Sequence, residues 1–248
     1  MISAVLQCWR IPKESMLPVA ILAGGLATRL GPLTEKIPKS LIPIAGEPFV
    51  AHQLRRLRSH GILRVILCVG HLGEMIERVI GDGSSFGIRV EYSHDGAKLL
   101  GTAGAIRNAL PKLGESFFVM YGDSYVVCDY ATIEQEFSRS GKLGLMTVFR
   151  NDGQWDASNV EFENGRILAY SKKDRSIRMN FIDYGLGAFR AQAFARTRAA
   201  DLADVYAELL QSGELAAVEV RERFYEIGSP AGLTEMTNFF RQRGEARK

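Results

Sequence analysis

No stretch of this chain reaches the roughly 18 consecutive apolar residues that a transmembrane helix requires. Its first residues also lack the ordered charged and apolar regions of a secretory leader. A helical membrane protein is thereby excluded, and the cytoplasm is the expected compartment. Cysteine is sparse: Cys8, Cys68 and Cys128 stand far apart, which rules out a disulfide framework and a CxxC metal site and implies reduced thiols. The four histidines, His52, His60, His71 and His94, show no HExxH or paired-ligand spacing, which argues against zinc. Strong net charge is missing too. The formal charge is +3 with pI near 8.8, and apart from Lys172-Lys173 and the tail the basic residues are dispersed among acids. That is too weak for nucleic-acid binding, whereas a positive potential focused in a phosphate cleft accounts for it equally well. There is no internal repeat and no low-complexity linker.

What is present is an ordinary globular composition, 46% hydrophobic and 24% charged over 248 residues, enough for one large core. Residues 16–248 read as a single domain. Residues 1–15 carry no pattern that continues into the first strand; they read as an extension before a native start at Met16, or as an N-terminal arm. The domain is organised around Ile21 to Gly46. An apolar run, Val19 to Ala23, is cut off by Gly24-Gly25, so a buried strand gives way to a loop whose main-chain N–H groups can close on an anion. Arg29 and Lys39 follow on that loop, a fork-shaped and a point-charge cation, as a polyphosphate would require. No Gly-Lys-Ser/Thr triplet closes it, so it is not a Walker A loop. The bland alternative is a strand-to-helix turn with exposed basic residues.

Downstream, periodicity predicts a helix over 48–60, a strand over 64–70, a short helix over 73–80 and a strand over 88–94. Gly101-Thr102 opens a further helix, and the strand Ser116 to Asp123 ends abruptly in Tyr-Gly-Asp. Four βα-like units in succession predict a parallel sheet flanked by helices, with a ligand crevice beyond the carboxyl ends of its strands. The second half reads differently: a strand over 143–150, a hairpin over 159–172 turning at Asn164-Gly165, and a strand over 183–190. A helix capped by Asp201 runs over 201–210, and a last helix covers about 232–240.

These motifs closely resemble the signature of the sugar-1-phosphate nucleotidyltransferases, which make nucleoside-diphosphate sugars. The matching positions are Gly24, Gly25, Ala27, Thr28, Arg29, Leu30, Pro32, Leu33, Thr34, Pro38, Lys39 and Pro43, with Ala27 standing where the family usually has glycine. Gly101 to Ala105 resembles the segment that lies against the nucleobase, and Phe224 to Pro230 resembles the family's Asp-Ile-Gly-Thr-Pro element. In length the likeness is to short single-domain members such as D-glycero-D-manno-heptose 1-phosphate guanylyltransferase. The resemblance implies a three-layer, Rossmann-like α/β fold with a mixed, mainly parallel sheet. It implies Arg29 and Lys39 as catalytic cations, and Leu22, Ala23, Gly24, Gly25, Asp95, Gly101 and Thr102 around the nucleotide. Lys172 (or Lys173 in the alternative register), Asp183 and Gly185 would line the sugar side. Asp123 and Glu226 would hold Mg2+, although Glu226 stands where the family has Asp and Ser171 where it often has Glu. The expected substrates are a nucleoside triphosphate and a sugar 1-phosphate. GTP with a heptose 1-phosphate is favoured because Asp95 offers an acceptor to the N–H groups of guanine; mannose 1-phosphate, uridylyl or thymidylyl transfer, or a non-catalytic nucleotide-sugar-binding subunit are the alternatives. Neither a nucleic-acid nor a membrane partner is expected, and the oligomeric state is open.

Overall fold

The computed structural model describes residues 16–25, 30–31 and 36–243. The extension 1–15 and the loop positions Ala27, Thr28, Arg29 and Pro32 to Thr34 lie outside the described residues. The chain begins with β1 (Val19–Leu22), a small β2 (Pro43–Ile44) and β3 (Glu47–Pro48) ribbon, and α1 (Phe49–Ser59). Next come β4 (Arg64–Val69), α2 (Gly73–Ile80), β5 (Arg89–His94), α3 (Gly101–Leu113) and β6 (Ser116–Tyr121). A short β7 (Ser124–Tyr125) leads to α4 (Tyr130–Ser140), β8 (Gly144–Arg150), β9 (Val160–Glu163), β10 (Arg166–Tyr170) and β11 (Phe181–Arg190). The chain finishes with α5 (Ala191–Ala195), α6 (Leu202–Gln211), β12 (Leu215–Val220), β13 (Tyr225–Glu226) and α7 (Pro230–Gln242).

β5, β4, β1 and β6 pair in parallel in that order, as four successive βα units require. β11 then joins antiparallel to β6 and carries the remainder of a nine-stranded mixed sheet, with the β9–β10 hairpin and the parallel β8–β12 pair on its far side. Alternation along the strands divides the core between the two faces. Val19 and Ile21 meet α1, α2 and α4, while Ala20, Ile66 and Cys68 meet α3, α5 and α6. The result is the expected three-layer arrangement. A third apolar cluster, which includes Ile44, Phe49, Tyr125, Ile227 and Phe240, docks α7 and a separate β7–β13 ribbon against the carboxyl edge of the sheet.

The longest elements beyond the sequence reading are α4, capped by the Asp129 carboxylate on the Ala131 and Thr132 amides, and the edge strand β12; the short β2, β3, β7 and α5 go beyond it as well. The strand expected over Ser116 to Asp123 is shorter: β6 ends at Tyr121, so Asp123 lies in the turn beyond it, and Glu226 belongs to the ribbon rather than the main sheet. The two carboxylates meet because the Ile227 amide donates to the Asp123 carbonyl at 2.9 Å.

Candidate active site

Two adjoining clefts open at the carboxyl ends of the parallel strands, and Tyr121 and Asp123 line both. The first is lined by Leu22 at the end of β1, Ala23, Gly24 and Gly25 just after it, Asp95 after β5, Gly101 and Thr102 at the start of α3, and Lys39. All the described residues expected around the nucleotide therefore face one cavity. Its floor is tight: a Cβ on Gly24 would lie 3.0 Å from the Gly70 amide nitrogen, and one on Gly122 would lie 2.5 Å from the Leu22 carbonyl oxygen. Gly101 adopts φ +74°, and any side chain there would fall on the Ala200 carbonyl oxygen at 2.5 Å. Gly104, by contrast, packs beneath Leu100 and leaves the cleft wall to Gly101.

Asp95 projects into this cleft. One carboxylate oxygen accepts the Leu100 amide at 3.3 Å, while Oδ1 is enclosed with no hydrogen-bond partner. Burial pushes its pKa up, partly countered by the Leu100 N–H. His94, its neighbour, turns instead to Glu77 on α2 at 3.1 Å. The Thr102 hydroxyl is already engaged, donating to Asp201 at 3.2 Å and accepting the Leu202 amide at 2.6 Å. Its hydroxyl thus ties α3 to the cap of α6. Leu99, 47% exposed, stands at the cleft mouth as an apolar surface against which a flat ring can rest.

Lys39 and Asp123 meet at the junction of the clefts, Nζ to Oδ2 at 2.9 Å. The point that a Cβ on Gly228 would occupy lies 2.6 Å from Glu226 Oε2, 3.4 Å from Asp123 Oδ2 and 3.5 Å from Lys39 Nζ, so the three charged groups border one spot that only a glycine leaves open. Glu226 is braced by the Gly228 amide and by the Ser229 hydroxyl at 2.6 Å. Ser229 in turn caps α7 by accepting the Gly232 amide. Among the described residues no cluster of three or more His, Cys, Asp or Glu could hold a metal. Two carboxylates nevertheless suit Mg2+, which keeps several waters and completes its shell with substrate phosphate.

The second cleft contains Lys172, Asp183 and Gly185 together with Glu226, while Lys173 is not among its lining residues. Asp183 sits at a bulge in the β11–β8 pairing, near Gly185 at φ +92°. Its Oδ1 accepts the Gly185 amide at 3.1 Å, its amide donates to Asn159 at 2.9 Å, and its Oδ2 has no hydrogen-bond partner. Burial raises its pKa, and Lys172 and then the Gly185 amide pull it back. Lys172 donates to the Tyr121 hydroxyl at 3.1 Å. The outer wall is a stack of Arg223 on the half-exposed Trp155, 3.4 Å from guanidinium carbon to ring centroid. Sequence reasoning missed Tyr121, Asn159, Trp155 and Arg223. Only Tyr121 carried a signal, being the last residue before the Gly-Asp turn.

The Nucleotidyl transferase family model matches residues 19–243. This chain belongs to that family. It is 31% identical over 221 residues to "Mannose-1-phosphate guanyltransferase beta-B" of Xenopus laevis, covering 85% of this chain and 61% of that protein. It is 40% identical over 119 residues to "N-acetylmuramate alpha-1-phosphate uridylyltransferase" of Neisseria meningitidis serogroup B, covering 48% and 52%. The chain thus spans about three-fifths of the length of the mannose-1-phosphate relative. HddC from Yersinia pseudotuberculosis, solved in complex with GMP-PN, superposes with a TM-score of 0.77 at 23% identity over 91% of this chain and all of that one, a likeness of fold. Among the described residues no helix is long and apolar enough to cross a membrane.

Proposed function

We propose that this nucleotidyltransferase moves GMP from GTP to a sugar 1-phosphate of the manno series, releasing pyrophosphate. The observation that carries the reading is the pair of clefts sharing Tyr121 and Asp123, with Lys39 at their junction. A phosphate oxygen of the sugar phosphate forms a bond to the α-phosphorus, and the bond from that phosphorus to the pyrophosphate oxygen breaks. The nucleophile is already anionic, so no proton moves and the protein's task is charge neutralisation and in-line placement. Lys39 would bridge the α-phosphate and the incoming phosphate, and Arg29, on the loop outside the described residues, is the cation assigned to the departing pyrophosphate. Asp123 and Glu226 would hold Mg2+, which supplies positive charge to the phosphate oxygens.

GTP is preferred because Asp95 lines the first cleft, where a carboxylate suits the N–H donors of guanine. A heptose 1-phosphate is the first reading for the sugar. Mannose 1-phosphate is the second, favoured by the mannose-1-phosphate guanyltransferase relative. A matrix of nucleoside triphosphates against sugar 1-phosphates, scored for pyrophosphate, tests both halves. Faster turnover of UTP or dTTP than GTP, unchanged in Asp95→Asn, rejects the base assignment.

A further inference from the structure

We propose that Tyr121 is a positioning residue that holds Lys172 at the boundary between the two clefts, ready for the phosphate of the sugar 1-phosphate. The proposal deepens the function above and rests on Lys172 meeting the sugar phosphate. Lys172 follows β10 and is exposed, so its four side-chain torsions are free unless something fixes them. Tyr121 supplies the fixing group: the ammonium donates to Oη at 3.1 Å and stands 5.0 Å from the ring centroid.

The support is itself rigid. Tyr121 pairs with Leu22 at the end of β1, and the Gly122 amide donates to the Leu22 carbonyl at 3.0 Å. Burial, and Asp183 after it, raise the phenol pKa, so the hydroxyl stays protonated and keeps a lone pair for the ammonium. Asp183 also decides what happens without it. Lys172 is the charge that most counters the burial of that carboxyl, so an ammonium without its Tyr121 hydrogen bond would be drawn toward Asp183 and away from the cleft boundary. Tyr121 holds the cation at the boundary, where the phosphate arrives.

The test uses the full chain with GTP and mannose 1-phosphate, comparing Tyr121→Phe, Lys172→Met and the double variant by steady-state kinetics, with calorimetric binding of mannose 1-phosphate as a second readout. Tyr121→Phe keeps the ring and should raise the KM and Kd for mannose 1-phosphate roughly tenfold, the scale of one lost hydrogen bond to a charged group. The KM for GTP should stay within about twofold. Lys172→Met should raise the same constants, and the double variant should be no worse than Lys172→Met alone, because Tyr121 acts through Lys172. An unchanged KM in Tyr121→Phe beside a raised one in Lys172→Met overturns the inference. So does a double variant whose effects multiply, which would mean that Tyr121 touches substrate itself. Should Lys172→Met change nothing, the underlying reading of Lys172 at the sugar phosphate fails instead.

Discussion

Asp95 and Asp183 are carboxylates enclosed by protein, and each keeps one oxygen without a hydrogen-bond partner. Such an oxygen costs folding free energy, on the order of 1–3 kcal/mol. Because burial raises both pKa values, their stabilising contribution is complete below the ordinary carboxylate pKa and is lost as pH rises through the raised folded value. Asp183→Asn should therefore melt above the wild type at pH 7, by about a few degrees, with the advantage vanishing on acidification. The same variant should lose affinity for the sugar phosphate. Melting curves at several pH values check the sign; a wild type that melts higher at pH 7 would refute it. Lys39 makes the opposite case. Its partner is Asp123 in the cleft and not the core, so Lys39→Ala should fold normally and lose roughly a hundredfold or more in turnover, the scale of removing one preorganised donor. Circular dichroism alongside pyrophosphate release separates the two effects.

Among the elements, α3 and α7 join the fold to the site. Gly101 opens α3 at positive φ against the Ala200 carbonyl, so Gly101→Ala should cost about 1–3 kcal/mol in urea unfolding and raise the KM for nucleotide. Glu226 braces the start of α7 through Gly228 and Ser229 while facing Asp123. Glu226→Ala should lower stability by about 1 kcal/mol and raise the magnesium concentration needed for half-maximal turnover. An unchanged magnesium dependence would leave Glu226 as a brace alone. Glu226→Asp should retain activity.

The parallel strands were legible because short apolar runs stopped by glycine have few other readings, and the hairpin because Asn164-Gly165 occupies its turn. α4 escaped because its polar stretch over 130–140 carries the thin apolar stripe Tyr130, Ile133 and Phe137. β12 escaped because it lies at a half-buried edge, where alternation is weak. In the site, glycines and charges announced themselves by spacing. The Lys39–Asp123 pair, 84 residues apart, and the Arg223–Trp155 stack exist only through the tertiary fold. The ribbon that carries Glu226 was hidden for the same reason.

For the molecule as a whole, ligand linkage offers a readout independent of turnover. A nucleotide that binds only the folded chain adds about 2.7 kcal/mol at a hundredfold excess over Kd, so GTP with magnesium should raise the melting temperature more than UTP at equal concentration. Equal shifts would argue against base discrimination at Asp95. The fastenings of the first cleft also impose an order on its birth. Ala103 donates to the Ala200 carbonyl, Leu202 to the Thr102 hydroxyl and Ile227 to the Asp123 carbonyl, each across about a hundred residues. A ribosome working from the N-terminus releases Gly24, Lys39 and Asp95 long before those partners exist. At roughly 5–20 residues per second, the nascent phosphate loop therefore spends seconds without the walls that shape it. With Leu26, Leu30, Leu33 and Ile37 set among its glycines and charges, that segment carries apolar side chains with nothing yet to cover them, which makes this interval the one in which the nascent chain most needs protection from aggregation.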